Sequence, residues 1–327
     1  MTRTQKQTNR LLALLLLFAA AASFSMVAGQ EKSASDEVIE INSELVVIDA
    51  QVIDKKTRQP VVDFKRDDFE LYENGVRQNI THFSRDKLPL SIVLMLDVSG
   101  STRRVVEQVG AGAVNALRHL KPEDEVAVMA FADAVTLVQD FSTDRQLISS
   151  KIKEAAGTNY VGYGNANIRD VISPAIEQMR ESANPLGRRV IIIITDNVVP
   201  PPSDKSGEAF REALASGSTV CGLIVRDSVA KLFNTLRIFK GGINSYVSET
   251  GGEMITAERA EIETKFTQLI EHLRTRYSFG YRPANASTVE TFRRIDLKIA
   301  PAAAHKRKLA IQLKKGYYAR ARSVKRT

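Results

Sequence analysis

The sequence predicts an α/β protein: a doubly wound, mostly parallel sheet inserted in a smaller β-sandwich-like domain formed by both chain ends. Four aliphatic runs in the middle of the chain alternate with helix-like stretches, which is typical of a parallel sheet covered on both faces. The flanking regions alternate apolar and polar residues with a period of two, which favours half-buried strands. The four runs are SIVLML, EVAVMAF, RRVIIIIT and STVCGLIV.

The first 29 residues have the features of a secretory signal peptide. A basic start precedes an apolar stretch of roughly a dozen residues, and small residues follow it. We expect cleavage near Ala28–Gln30 and an exported protein that is periplasmic, associated with the cell envelope or extracellular. An uncleaved anchor is the alternative, although the stretch is short for a bilayer span. Cleavage removes Arg3, Lys6 and Arg10, which lowers the net charge of +8 by three, to +5.

Periodicity and composition divide the remaining chain into five segments. They are a polar linker (30–37), a β-rich segment (38–88), the α/β domain (89–275), a second β-rich segment (276–321) and a basic tail (322–327). Neither β-rich segment is large enough to bury a core alone, so we expect the two to pack into one discontinuous domain.

The first β-rich segment predicts one strand in SELVVIDAQVID, with Val46, Ile48, Ala50 and Val52 on one face. It also predicts two strands in DFELYENGVRQNITHF, joined at Asn74-Gly75, because both residues tolerate positive φ in a hairpin turn. In the second β-rich segment RRIDLKIA and KLAIQLKKGYY each predict a strand by the same alternation.

The α/β domain predicts five helices and one antiparallel strand. The helices are expected at 104–120, 144–156, 168–182, 206–216 and 259–274, and a short helix is expected within 226–252. TLVQDFS follows closely behind EVAVMAF, so we interpret it as an antiparallel edge strand. Cys221, the only cysteine, excludes an intramolecular disulfide and is expected to be a small buried residue of a strand.

Acidic and hydroxyl residues follow two of the aliphatic runs. DVSGS places Asp97, Ser99 and Ser101 after the first run, and Asp196 follows the third. Ligands of an open parallel sheet collect at the carboxyl ends of its strands, where the strand order reverses. Clustered there, these oxygens suit Mg²⁺, or Ca²⁺ or Mn²⁺. The four His residues are distant in sequence, which argues against zinc.

These residues resemble those of von Willebrand factor type A domains. DVSGS is similar to their Asp-x-Ser-x-Ser signature, and IIIITD is similar to the strand that supplies the last aspartate of their metal site. The segments on either side are similar to those that flank this domain in secreted acidobacterial proteins with a von Willebrand factor type A-related domain. They read VIDKKTRQPVVDFKRDDFELYENGVRQNITHF and RYSFGYRP…FRRIDLKI…KKGYYARA.

The resemblance implies a metal-ion-dependent adhesion site. Ser99 and Ser101 would bind the metal directly. Asp97 and Asp196 would bind it through water and hold the serine loop. An acidic residue of a partner protein would fill the open coordination position. An exported adhesion or assembly module of this kind is the function we expect.

One loop departs from the family pattern. GNANIRDVI aligns Asp170 with the aspartate that opens a helix, which puts Ala166 at the position of a threonine ligand. Ala166 has no side-chain oxygen, although Asn167 or Thr158 are candidates to compensate. Asn197 replaces the glycine that commonly follows the last aspartate. A weakened metal site and a metal-free structural module therefore remain alternatives.

Catalysis is not expected. An Asp-nucleophile phosphatase would need a second acid where Ser99 stands, and the chain lacks a Gly-x-Ser-x-Gly elbow and a P-loop. Export argues against nucleic acid as a partner. The basic tail could contact an anionic envelope surface, and a solvated strand with a frayed end is the alternative interpretation.

Overall fold

The computed structural model describes nine stretches of the chain. They are 45–85, 88–102, 105–157, 168–184, 187–197, 207–226, 242–283, 290–304 and 307–319. The expected signal peptide, linker and basic tail lie outside them, as do Thr158, Ala166 and Asn167. No helix within the described stretches is long and apolar enough to cross a membrane.

The described residues form fourteen strands and six helices of more than one turn. The strands are β1 (Val46–Asp54), β2 (Phe69–Glu73), β3 (Val76–Gln78), β4 (Ile80–Ser84), β5 (Leu90–Asp97), β6 (Glu125–Phe131), β7 (Val135–Ser142), β8 (Arg188–Thr195), β9 (Thr219–Arg226), β10 (Met254–Glu258), β11 (Tyr277–Tyr281), β12 (Thr291–Ile299), β13 (Leu309–Leu313) and β14 (Gly316–Ala319). The helices are α1 (Val106–Ala116), α2 (Arg145–Ala156), α3 (Ile168–Arg180), α4 (Gly207–Ala215), α5 (Ile243–Thr250) and α6 (Ile262–Arg274).

Six strands form the central sheet, in the spatial order β10-β9-β8-β5-β6-β7. All neighbouring pairs are parallel except β6 with β7, which confirms the antiparallel edge strand. The strand order reverses between β5 and β8, so the crevice at this point lies between their carboxyl ends. The short strand β10 was not predicted.

Helices cover both faces of this sheet. Helices α1, α2 and α6 pack on one face, and α3, α4 and α5 pack on the other. Strands β5 and β6 are buried along their whole length, which explains their continuous aliphatic sequences. The five predicted helices are present with ends shifted by a few residues, and the doubly wound fold is confirmed. Cys221 is fully buried, and its burial raises the pKa of the thiol to about 11.

Two antiparallel sheets are built from both ends of the described chain. Their strand orders are β13-β1-β11-β4 and β14-β12-β2-β3. They share one core, in which Ile48 and Phe279 of the first sheet meet Phe69 and Leu297 of the second. This arrangement confirms the sandwich-like part of the predicted fold class.

Two sequences expected to form single strands each form two. In VRQNITHF the chain leaves β3 at Asn79 and enters β4 of the other sheet, and KLAIQLKKGYY is likewise divided into β13 and β14. The period of two continues across each break, so the change of sheet leaves no signal in the pattern. Asn74 and Gly75 have φ of 49° and 82°, which confirms the predicted hairpin turn.

Candidate metal-binding site

Asp97 is the last residue of β5, and protein donors fix its carboxylate. Only 3% of the residue is exposed. Its Oδ1 accepts a hydrogen bond from the Ser99 backbone amide at 3.0 Å, and its Oδ2 accepts one from the Thr195 hydroxyl at 2.5 Å. Thr195 ends the neighbouring strand β8, so the register of the two strands determines how Asp97 is oriented.

The loop after Asp97 brings two serine hydroxyls together. The Oγ atoms of Ser99 and Ser101 lie 3.2 Å apart. Thr102 closes the loop, because its hydroxyl oxygen lies 2.9 Å from the Asp97 carbonyl oxygen and 3.0 Å from that of Ser99. Both carbonyls compete for one hydroxyl hydrogen, and either bond holds the loop against the end of β5.

Asp196 and Asn197 follow β8 on the other side of the crevice. Asp196 is 3% exposed. Asn197 has φ of 57°, a left-handed conformation in which Asn is one of the favoured residues other than glycine. Its amide donates to Thr195 Oγ1 at 2.9 Å, and its Nδ2 donates to Asn244 Oδ1 at 3.1 Å. Asn197 therefore satisfies the backbone requirement of the expected glycine and adds a side-chain contact.

The two carboxylates influence each other. Burial, together with the neighbouring Asp196 carboxylate, raises the pKa of Asp97 to about 6 from its ordinary 3.8. Hydrogen bonds from Ser99 and Thr195 act in the opposite direction but do not compensate. Two nearby buried carboxylates repel each other when both are ionised, and a proton or a cation relieves this repulsion.

A family model described as the von Willebrand factor type A domain matches residues 92–198. The match begins in β5 and includes Asp97, the serine loop and Asp196. Residues 92–198 are thus similar in sequence to von Willebrand factor type A domains. No curated protein sequence matches the chain significantly.

Several solved structures are similar to this chain. BatB, a conserved hypothetical protein from Bacteroides thetaiotaomicron, is 16% identical, with 57% of this chain and 99% of that chain covered and a TM-score of 0.42. The von Willebrand domain of the type V pili tip protein Mfa5 from Porphyromonas gingivalis is 11% identical, with 57% and 95% covered and a TM-score of 0.42. A von Willebrand factor type A protein from Catenulispora acidiphila is 13% identical, with 79% and 75% covered and a TM-score of 0.43.

The predicted site residues lie at the ends of two adjacent strands. Asp97 and Ser99 are buried at the end of β5, Ser101 is partly buried, and Asp196 follows β8. Asp170 lies in the first turn of α3 and is exposed, as a structural helix-start residue would be. The candidates Thr158 and Asn167 lie outside the described residues.

Sequence reasoning missed three residues that shape the site. Thr102 and Thr195 hold the loop and the Asp97 carboxylate, and Asn244 at the start of α5 holds Asn197. The two threonines could have been found from the sequence, because Thr102 closely follows Asp97 in DVSGST and Thr195 directly precedes Asp196 in IIIITD. Asn244 has no local signal, because it comes from a distant part of the chain.

The donor set fits a hard divalent cation. It consists of two carboxylates and two hydroxyls, which suit Mg²⁺, Ca²⁺ or Mn²⁺. Within the described stretches, no three His, Cys, Asp or Glu side chains converge, so a cation here depends on the serine hydroxyls as well. The Asn197 Oδ1 is buried without a hydrogen-bond partner among the described residues, which leaves one more oxygen beside the crevice.

Proposed function

We propose that the chain is an exported protein-binding module that captures an acidic group of a partner at Asp97, Ser99, Ser101 and Asp196. One observation carries the proposal. Two hydroxyls and two buried carboxylates gather at the switch point of a type A domain, where an open α/β sheet binds its ligands. Domains of this family are generally interaction modules rather than enzymes.

The chain's own residues divide the work between binding and positioning. Ser99 and Ser101 present adjacent hydroxyl oxygens, which are the candidates for direct ligands. Asp97 already accepts hydrogen bonds on both carboxylate oxygens, which supports a role in holding the loop and binding through water. When bound, a divalent cation supplies an open coordination position for a carboxylate of the partner.

Export is part of the proposal and depends on the features of residues 1–29. Capture of an acidic protein group would then occur outside the cytoplasm. Contact of the basic tail with an anionic envelope surface is a further part of it, supported by the concentration of Lys and Arg at this end of the chain.

The experiment combines metal titration with partner capture. Calorimetric titration of the protein with Mg²⁺ and Mn²⁺ should give heat for the wild type and at least about tenfold weaker binding for Ser99→Ala. Ser150→Ala, at an exposed serine of α2, is the matched control and should bind like the wild type. Capture of proteins from an envelope extract should be lost with chelator and with Ser99→Ala. Capture that survives both changes would contradict the metal-dependent mechanism.

A metal-free interaction module is the second candidate. The observation that favours it is Ala166, which supplies no oxygen at the position of the family's threonine ligand. No heat and no change in thermal stability at millimolar Mg²⁺ or Mn²⁺ would support this candidate over the first.

A further inference from the structure

A cavity of about 570 Å³ lies far from the candidate metal site. It is lined by β1 and β4 of the first antiparallel sheet, by the beginnings of β8 and β9 and by the residues that follow α4. Asp97 and Asp196 lie at the carboxyl ends of the central strands, whereas the cavity lies at the ends where β8 and β9 begin. It is therefore independent of the proposed metal-dependent function.

The cavity exists because the central domain covers only part of one face of β1. Asp49 and Gln51 of this face are covered: Asp49 accepts from Arg188 at 3.2 Å, and Gln51 Nε2 donates to the His272 carbonyl at 2.9 Å. The preceding residues of the same face, Leu45 and Val47, remain 47% and 50% exposed. Two large apolar side chains are thus exposed beside each other at the mouth of a cavity.

Most of the wall is apolar, and its charged residues are mainly basic. Leu45, Val47, Leu88 and Leu214 provide the apolar surface. The charged lining residues are Arg188, Arg189, Lys314 and Asp49. Asp49 is the only carboxylate among the described lining residues, and it already accepts from Arg188 and from the Ser278 hydroxyl at 2.5 Å.

Lys314 is the basic group best placed to receive an anion. Its ammonium lies 3.4 Å from the Val47 carbonyl oxygen, beside the exposed apolar residues. Burial lowers the pKa of Lys314, and the attraction of Asp49 opposes this effect only in part. Lys314 is partly buried and its ammonium also lies 5.7 Å from the centre of the Tyr317 ring, so it gains more from an anionic ligand than a fully solvated ammonium does.

We propose that this cavity binds a single-chain amphiphilic carboxylate, with its hydrocarbon chain against Leu45 and Val47 and its carboxylate on Lys314. The proposal rests on the complementarity between this ligand class and an apolar wall with a cationic group at one side. The volume lies within the range of roughly 300–1,000 Å³ that is usual for small-molecule sites.

Dodecanoate, kept below its micelle-forming concentration, is the probe. Isothermal titration should show one site per chain, and dodecyltrimethylammonium should bind at least about tenfold more weakly, since it repels Lys314. Val47→Glu should weaken dodecanoate binding at least about tenfold, because it places a carboxylate on the apolar wall. Val76→Glu is the matched control: Val76 is 53% exposed on β3, outside the cavity, and its substitution should leave binding unchanged.

Lys314→Met tests the charge separately and keeps most of the side-chain length. The Lys314→Met protein should bind dodecanoate and dodecyltrimethylammonium equally well. Lys315→Met is the control and should still prefer dodecanoate, since Lys315 is exposed and does not line the cavity. Equal binding of the two amphiphiles by the wild type, or wild-type affinity in Val47→Glu, would overturn the proposal. Addition of chelator should change none of these affinities, which separates this site from the metal site.

Discussion

Opposing influences act on the Asp97 carboxylate. Hydrogen bonds from Ser99 and Thr195 stabilise its ionised form, while burial and Asp196 favour its protonated form. Burial and Asp196 have the larger effect, so they raise the pKa of Asp97 to about 6. In the absence of a cation, the ionised site therefore makes the folded state less stable, as often occurs where residues are arranged for binding.

Asp97→Asn should remove a pH dependence of stability that the metal-free wild type shows. Because the folded-state pKa of about 6 exceeds the ordinary 3.8, the folded state binds the extra proton between these values. The free energy of unfolding should therefore fall by up to about 3 kcal/mol as pH rises through this window. Urea unfolding in chelator, from pH 4 to 7.5, measures the difference between the two proteins.

Asp133→Asn provides the control for that series. Asp133 is an exposed residue in the turn after β6, so its substitution should leave the wild-type pH profile intact. A constant difference between wild type and Asp97→Asn across the whole range would show that Asp97 titrates normally.

At the scale of elements, the end of α5 connects the central sheet with an antiparallel one. Gly251 ends the helix with φ of 72°, and its carbonyl accepts a hydrogen bond from Arg276. A Cβ at Gly251 would lie 2.2 Å from the carbonyl carbon of Leu313 in β13. Two separate constraints, the left-handed conformation and the close approach of β13, therefore require glycine here.

Gly251→Ala should be more destabilising than Gly217→Ala, and the difference measures the close approach alone. Gly217 has nearly the same φ, 69°, but an added Cβ there would contact nothing within 4 Å. Gly217→Ala should cost about 1 kcal/mol for the left-handed conformation. Gly251→Ala should cost about 1–3 kcal/mol more, because β13 must move. Equal losses in urea unfolding would mean that the α5–β13 contact adjusts freely.

At the scale of the whole molecule, local patterns predicted most of the fold but not the partners of its strands. Aliphatic runs and periods of two depend on burial, which each segment encodes locally. The change of sheet at Asn79 depends on β11, which is distant in sequence, so VRQNITHF gave no indication of it. The candidate site was predicted in part for the same reason. The DVSGS motif is local and indicated Asp97 and its serines, whereas the contact of Thr195 with Asp97 depends on the register of β5 and β8.

Arg188 joins the central sheet to the first antiparallel sheet. It begins β8, and 3% of its side chain is exposed. Its guanidinium donates to Asp49 of β1 and to the carbonyls of Leu273 and Arg276 at the end of α6 and before β11. Loss of the guanidinium would leave the partly exposed Asp49 carboxylate and these carbonyl oxygens without their donor, so this residue should control whether the two parts unfold together.

Arg188→Met should destabilise the protein by about 1–3 kcal/mol and separate the unfolding of its two parts. The chain has no Trp, and most tyrosines of the described residues lie in the antiparallel sheets. Tyrosine fluorescence therefore reports mainly on those sheets, while far-UV circular dichroism also reports on the helices around the central sheet.

We expect coincident transitions for the wild type and for Arg189→Met. In Arg188→Met the fluorescence transition should come at lower urea, because the antiparallel sheets lose their main polar attachment; coincident transitions there would assign the coupling to apolar contacts instead.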